Sequence, residues 1–177
     1  MLLFFKKSVF LLFITLSVFS CKTNKSLSTV STLDLEKYIG TWHEIARFDH
    51  SFERNLSCVS ATYSIKPGGN IKVENKGFNT KKNKWKTAIG KAKVPNTDVP
   101  GEIKVSFFGP FYGDYFVMKL DANYKHVLVG SPTRDYLWIL SRDKIMPDYV
   151  YGQYLEIAKS NGFDISKLQL IDQSCSD

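Results

Sequence analysis

Beyond Leu33 apolar and polar residues alternate with a period of two through most of the chain, the pattern of strands that turn one face to a core and the other to water. It predicts eight strands, at 41–48, 57–66, 70–78, 84–93, 102–108, 114–120, 125–130 and 135–142, joined by hairpin-length connections. Pro67-Gly68-Gly69-Asn70 supplies residues that tolerate positive φ, and Lys81-Lys82-Asn83-Lys84 makes a more polar turn. Asp34 is placed to cap a short helical turn, DLEKYIG, ahead of the first strand. The only long helical pattern is 147–161, with Pro147 suited to the first turn and Val150, Tyr154, Ile157 and Ala158 on one face. Gly162 follows as its cap, and Leu168-Gln169-Leu170-Ile171 reads as a ninth strand. Eight such strands say all-β, either barrel or sandwich.

Residues 1–20 depart from this pattern. Lys6-Lys7 and the apolar run from Val9 to Phe19 form an export signal, too short to span a bilayer as a stable helix. Val18-Phe19-Ser20-Cys21 resembles a lipobox, although Phe19 stands where a small residue is usual. On this reading Cys21 is acylated and becomes the mature N-terminus, tied to the membrane by several chains where one alone binds marginally. An ordinary signal peptide followed by a chance cysteine is the alternative. Lys22 is not the Asp that retains some lipoproteins at the inner membrane, which favours the outer membrane, on its periplasmic side or at the cell surface. Residues 21–32, polar and rich in Ser and Thr, read as the lipidated N-terminus and a flexible tether. Residues 33–177 then form a single domain.

The formal charge of +7 falls to +5 without Lys6 and Lys7. Its lysines are scattered over strands, which argues against nucleic acid and suits an anionic surface or ligand. Lys81, Lys82, Lys84 and Lys86 surround Trp85, a run that reads first as a soluble hairpin edge and otherwise as a contact for anionic headgroups. Two cysteines remain after Cys21, and in an oxidising compartment an even number points to one bridge. No G-x-S-x-G, G-x-G-x-x-G, phosphate-loop or C-x-x-C pattern is present, so no catalytic residue is assigned. His43-Glu44-Ile45-Ala46-Arg47 has Arg where a zinc-protease motif needs its second His and lies on a strand, so no metal is expected. Arg47, Asp49, His50, Glu53 and Arg54 read as a solvated loop, with the rim of an opening as the alternative.

Two separated motifs give these strands a family. Gly40-Thr41-Trp42 opens YIGTWHEIARFDHSFER, and Thr133-Arg134-Asp135-Tyr136 leads through LWILSR to Arg142. With KVSFFGPFYGDY between them, the chain resembles the lipocalins, above all the bacterial outer-membrane ones, from about Leu33 to Ile171. The resemblance implies an eight-stranded antiparallel up-and-down barrel, a helix on its outer wall and a short ninth strand. It implies that Arg142 packs across the Trp42 indole at the narrow end, and that Cys58 and Cys175 form the bridge. A catalytic Cys58 in a lipocalin-fold enzyme acting on a lipid is the rival. With Arg142 inward, alternation puts Leu140, Trp138 and Tyr136 on the inner face, as cavity lining or as core. Six aromatics crowd residues 104–116, and Tyr112, expected at a turn there, is placed to offer its hydroxyl to a headgroup. The implied ligand is a fatty acid or lysophospholipid, stored or carried for membrane maintenance under stress. Haem or another tetrapyrrole is the alternative cargo, and relatives suggest a possible homodimer.

Overall fold

The computed structural model describes residues 26–175; the export signal and Cys21 lie outside them. Nine strands form one antiparallel sheet: β1 Gly40–Phe48, β2 Leu56–Ile65, β3 Ile71–Asn79, β4 Lys84–Lys93, β5 Glu102–Phe108, β6 Phe111–Leu120, β7 His126–Gly130, β8 Leu137–Ser141 and β9 Leu168–Leu170. Sequential strands pair from β2 to β8, β8 pairs with β1, and β1 returns to β2, which closes the barrel. The ninth strand lies outside the closure, on the last residues of β1.

Closure works because successive side chains on each strand serve two different cores. Along β7, Val127 and Val129 point into the barrel while Leu128 points out, and along β8 Leu140 points in while Leu137 and Ile139 point out. The inner set, with Trp42, Tyr63 and Val73, fills the narrow half of the barrel. The outer set is covered by the helix α2 Asp148–Ser160, through Val150, Tyr154 and Ala158. The Tyr154 hydroxyl donates to the His126 carbonyl at 3.0 Å, which satisfies its polar end in this apolar seam. Pro147 stands just before the helix, and Gly162 leaves it at φ +84°, a conformation that costs glycine little. The four-residue helix α1 Leu35–Tyr38 crosses the narrow end, its first amides accepted by the Asp34 carboxylate.

The barrel, helix and ninth strand are those the sequence predicts, with three differences. Packed chain starts before Leu33: Leu27 is buried in the outer core and the Val30 amide donates to the Val117 carbonyl at 2.9 Å. Two apolar residues among serines and threonines give no periodicity, so this packing is not marked in the sequence. Tyr136 lies in the turn before β8 instead of within it, because the Ser131 amide closes that turn on the Tyr136 carbonyl. The third is a bulge in β1, where the register on β8 shifts between Glu44 and Ala46. It reverses the alternation and aims Ala46 and Phe48 outward.

A bridge joins Cys58 to Cys175 with a Cα–Cα distance of 6.0 Å, so Cys58 has no free thiol with which to attack. The tail reaches it as a strap: the Cys58 amide donates to the Asp172 carbonyl, and Gln173 Nε2 donates to the carbonyls of Glu44 and Val59. The bridge spans a sequence separation of 117 residues. The chain-entropy model gives such a loop about 5 kcal/mol. Replacing both cysteines by Ser is expected to lower the free energy of denaturant unfolding by up to about that amount. The barrel's far-ultraviolet spectrum should remain.

Candidate functional site

The narrow end of the barrel is sealed by one arginine. Arg142 follows β8 and lays its guanidinium 3.8 Å from the centroid of the fully buried Trp42 ring. Its Nη2 donates to the carbonyls of Lys37, Tyr38 and Ile39, its Nη1 to Thr41 and its Nε to Tyr124. Arginine suits this position because a planar fork can stack on the indole and still reach the carbonyls at the end of α1. Trp42 Nε1 donates to the Tyr38 carbonyl as well. Gly40 is dictated by the same seal. Its φ is +97°, and a Cβ there would lie 3.1 Å from Arg142 Nη1. Above this floor the hydroxyls of Tyr38 and Tyr115 bond to each other at 2.8 Å.

The opposite end is open. A cavity of about 610 Å³ runs down from it, within the range of small-molecule sites. Its wall includes Val59, Tyr63, Phe107 and Tyr115. Trp138, Leu140 and Tyr136 all line it, and the Tyr136 and Trp138 rings stack with centroids 5.8 Å apart. Tyr112 lines the cavity as well, near the opening. It belongs to β6, not to a turn, and its ring lies 4.5 Å from Lys93 Nζ and 5.5 Å from Lys91 Nζ. These lysines flank the inward Ala92 on β4. Thr133 and Asp135 sit exposed on the turn at the mouth, where Thr133 Oγ1 and Ser131 Oγ are 3.1 Å apart.

Sequence reasoning missed a buried charge network in the cavity wall. The run from Arg47 to Arg54 is not a solvated loop throughout: Asp49 and Arg54 pair at the surface, but Arg47, His50 and Glu53 are buried together with Glu44. Arg47 Nη1 donates to Glu44 Oε2 at 2.8 Å, and Nη2 donates to the Glu53 and Leu56 carbonyls. Glu53 Oε2 lies 3.0 Å from His50 Nε2 and accepts from Trp138 Nε1 at 3.3 Å. Glu44 could have been found, since strict alternation from Trp42 turns it inward. Arg47 could not, because the bulge sets its direction.

Two carboxylates share one arginine here, which separates their acidities. Burial, with the neighbouring Glu53 charge, holds the Glu44 carboxyl well above its ordinary range despite Arg47. Burial also acts to raise Glu53, but His50, Arg47 and the Trp138 N–H outweigh it and keep Glu53 below the ordinary value. A raised acid favours the neutral form in the fold. The Glu44 contribution is therefore complete below the pKa of the unfolded chain and is lost as pH rises toward the folded value. Glu53 contributes in the opposite sense, above the unfolded value, and its contribution is lost as pH falls through the folded one. Glu44→Gln keeps an acceptor for Arg47 without the ionisation. Its stability relative to the parent should improve as pH climbs above the ordinary carboxyl range, by up to about 1.4 kcal/mol per pH unit. Urea unfolding at a series of pH values measures this, and a constant difference would contradict the raised Glu44. Arg47→Met should cost about 3–5 kcal/mol near neutral pH, because it removes the guanidinium that compensates the buried Glu44 and Glu53. The same unfolding midpoints test it.

The fold and its sealed floor agree with known proteins. Residues 33–173 match the lipocalin-like domain family. The chain is 47% identical over 149 residues to the outer membrane lipoprotein Blc of Escherichia coli K12, covering 84% of each chain. It is 44% identical over 150 residues to the Blc lipoprotein of Vibrio cholerae, covering 84% of this chain and 88% of that one. Among solved structures, the cockroach major allergen Per a 4 superposes with a TM-score of 0.67 over 83% of this chain and 92% of its own. At 21% identity that likeness speaks for the fold alone. The closeness to Blc places the chain at the outer membrane as a lipid-anchored protein, among binding and transport proteins. By its family match and these identities, the chain belongs to the lipocalins.

Proposed function

We propose that the cup carries one amphiphile, a fatty acid or lysophospholipid, and stores or moves it for membrane maintenance under stress. The observation that carries this reading is the shape and lining of the cavity. It is a preformed, largely apolar space sealed below by Trp42 and Arg142 and open above. Each methylene moved from water into such a space contributes about 0.8 kcal/mol, so an acyl chain binds there with few polar contacts. Tyr136, Trp138 and Leu140 take the chain along one wall, and acylation of Cys21 keeps the cup beside its lipid source. Tyr112, at the opening, is placed to meet the headgroup.

Titration with a lysophospholipid, followed by tryptophan emission, tests the proposal. Of the three tryptophans, Trp42 is sealed in the floor and Trp85 does not line the cavity, so the saturable change belongs to Trp138. Trp138→Phe should abolish the emission change while displacement of a fluorescent fatty acid still reports binding. No displacement by either lipid class from delipidated, folded protein would sink the reading.

A further inference from the structure

The mouth of the cup gathers three exposed phenylalanines. Phe108 and Phe111 face each other across the β5–β6 hairpin and are 80% and 78% exposed. Phe52, on the β1–β2 loop, is 45% exposed, and all three line the cavity's opening. Phenylalanines left in water around one opening call for a partner. The β3–β4 hairpin at the same end carries the exposed Lys81, Lys82 and Lys84, which form no ion pair among the described residues. It is fastened to the aromatic rim, since Lys86 Nζ donates to the Phe52 carbonyl at 3.1 Å. Of the acidic groups toward this end, Asp49 is paired with Arg54, Asp114 with Lys104 and the buried Glu53 with His50, and Asp135 is exposed.

We propose that this rim is a membrane-docking surface, which sets the cup mouth-down on an anionic bilayer with Phe52, Phe108 and Phe111 in the interface and the hairpin lysines on the headgroups. Apolar side chains beside lysines are the composition of an interfacial contact, and each lysine near an anionic surface adds roughly five-fold to partitioning. The chain's course allows it. Val30 is bonded at Val117 and the Asp34 amide donates to the Tyr124 hydroxyl at the narrow end, so followed backward the chain leaves that end toward the mouth. Val117 stands six residues along β6 from Phe111, about 20 Å. The nine residues from Val30 back to Cys21 span up to about 30 Å. An anchor at Cys21 therefore reaches the plane of the mouth. The geometry uses that anchor, but the docking surface does not depend on which lipid the cup holds.

The test uses the full lipidated chain in vesicles of phosphatidylcholine with a third phosphatidylglycerol. Phe111→Trp and Ile145→Trp place reporters at exposed positions at opposite ends, Ile145 following Arg142 at the narrow end and being 82% exposed. Brominated phospholipids should quench Phe111→Trp several-fold more than Ile145→Trp, each read against the parent. Lys81→Glu/Lys82→Glu/Lys84→Glu added to Phe111→Trp should remove most of that quenching. Flotation in high salt scores the anchor separately. A chain that floats with both reporters equally quenched overturns docking and leaves the anchor standing. Strong quenching of Phe111→Trp in a chain that high salt strips from vesicles supports docking without the anchor. Absence of both overturns both. An unquenched mouth whose Phe108→Ser/Phe111→Ser variant turns a dimer into a monomer overturns docking and assigns the rim to a second copy of the chain.

Discussion

The Arg142–Trp42 stack is the constraint around which the barrel is arranged. A closed sheet of eight strands leaves two open ends, and a cup needs one of them shut without filling the whole interior. Here a single guanidinium does it, because it can lie on an indole face and still donate in plane to carbonyls of α1 and of neighbouring loops. The stack fixes Gly40 by proximity, sets the inward parity of β8 and ties α1 over the floor. Lysine, a point charge without a planar face, meets only part of that demand.

Above the floor the cup holds a charge network that an apolar ligand does not need. Buried ion pairs recover their desolvation only when their remaining donors and acceptors are satisfied. Arg47 meets it in part, through Glu44 and two backbone carbonyls, while its Nε makes no hydrogen bond and lies 3.8 Å from Glu53; Glu53 is held by His50, Trp138 and Asn75. The network's geometric consequence lies on Trp138. With its N–H fixed on Glu53 beside the His50 ring, the indole is oriented by a polar contact on one edge while it serves as wall for the cavity. The polar cluster thus stiffens an aromatic surface that dispersion alone would leave free to change rotamer.

How much of this was legible in the sequence follows from which residues obey strict alternation. The strands follow from period two, the outer helix from its own helical period, the Trp42–Arg142 pair from the family resemblance, and the inward Trp138 and Leu140 from that anchor together with alternation. What failed is where the period fails. A bulge in β1 turns Arg47 inward, and no composition signal marks it. Leu27 and Val30 pack through two residues, too few to make a pattern. Tyr112 is expected in the turn at Gly109-Pro110, whereas β6 begins at once after that turn and carries Tyr112 as a strand residue beside Lys93. The lysines of the β3–β4 hairpin show the same limit, because sequence gives their number but not which end of the barrel they decorate.

The two ends of the molecule together impose an order on ligand entry. The floor is sealed and its polar groups are already bonded to each other, so it offers an incoming headgroup no free partner. The wall is apolar for most of its depth, whereas exposed cations and aromatics collect at the opening. An amphiphile entering tail first keeps its headgroup where water and lysines can solvate it. Entering head first would bury that charge against the Tyr38–Tyr115 pair without compensation. The same asymmetry matches a lipid leaving a bilayer, whose headgroup stays at the interface while its chain is transferred. Under a docked mouth the chain would pass from one apolar environment to another. Its exposure to water, the main barrier to leaving a membrane, would then be confined to the rim between Phe52, Phe108 and Phe111.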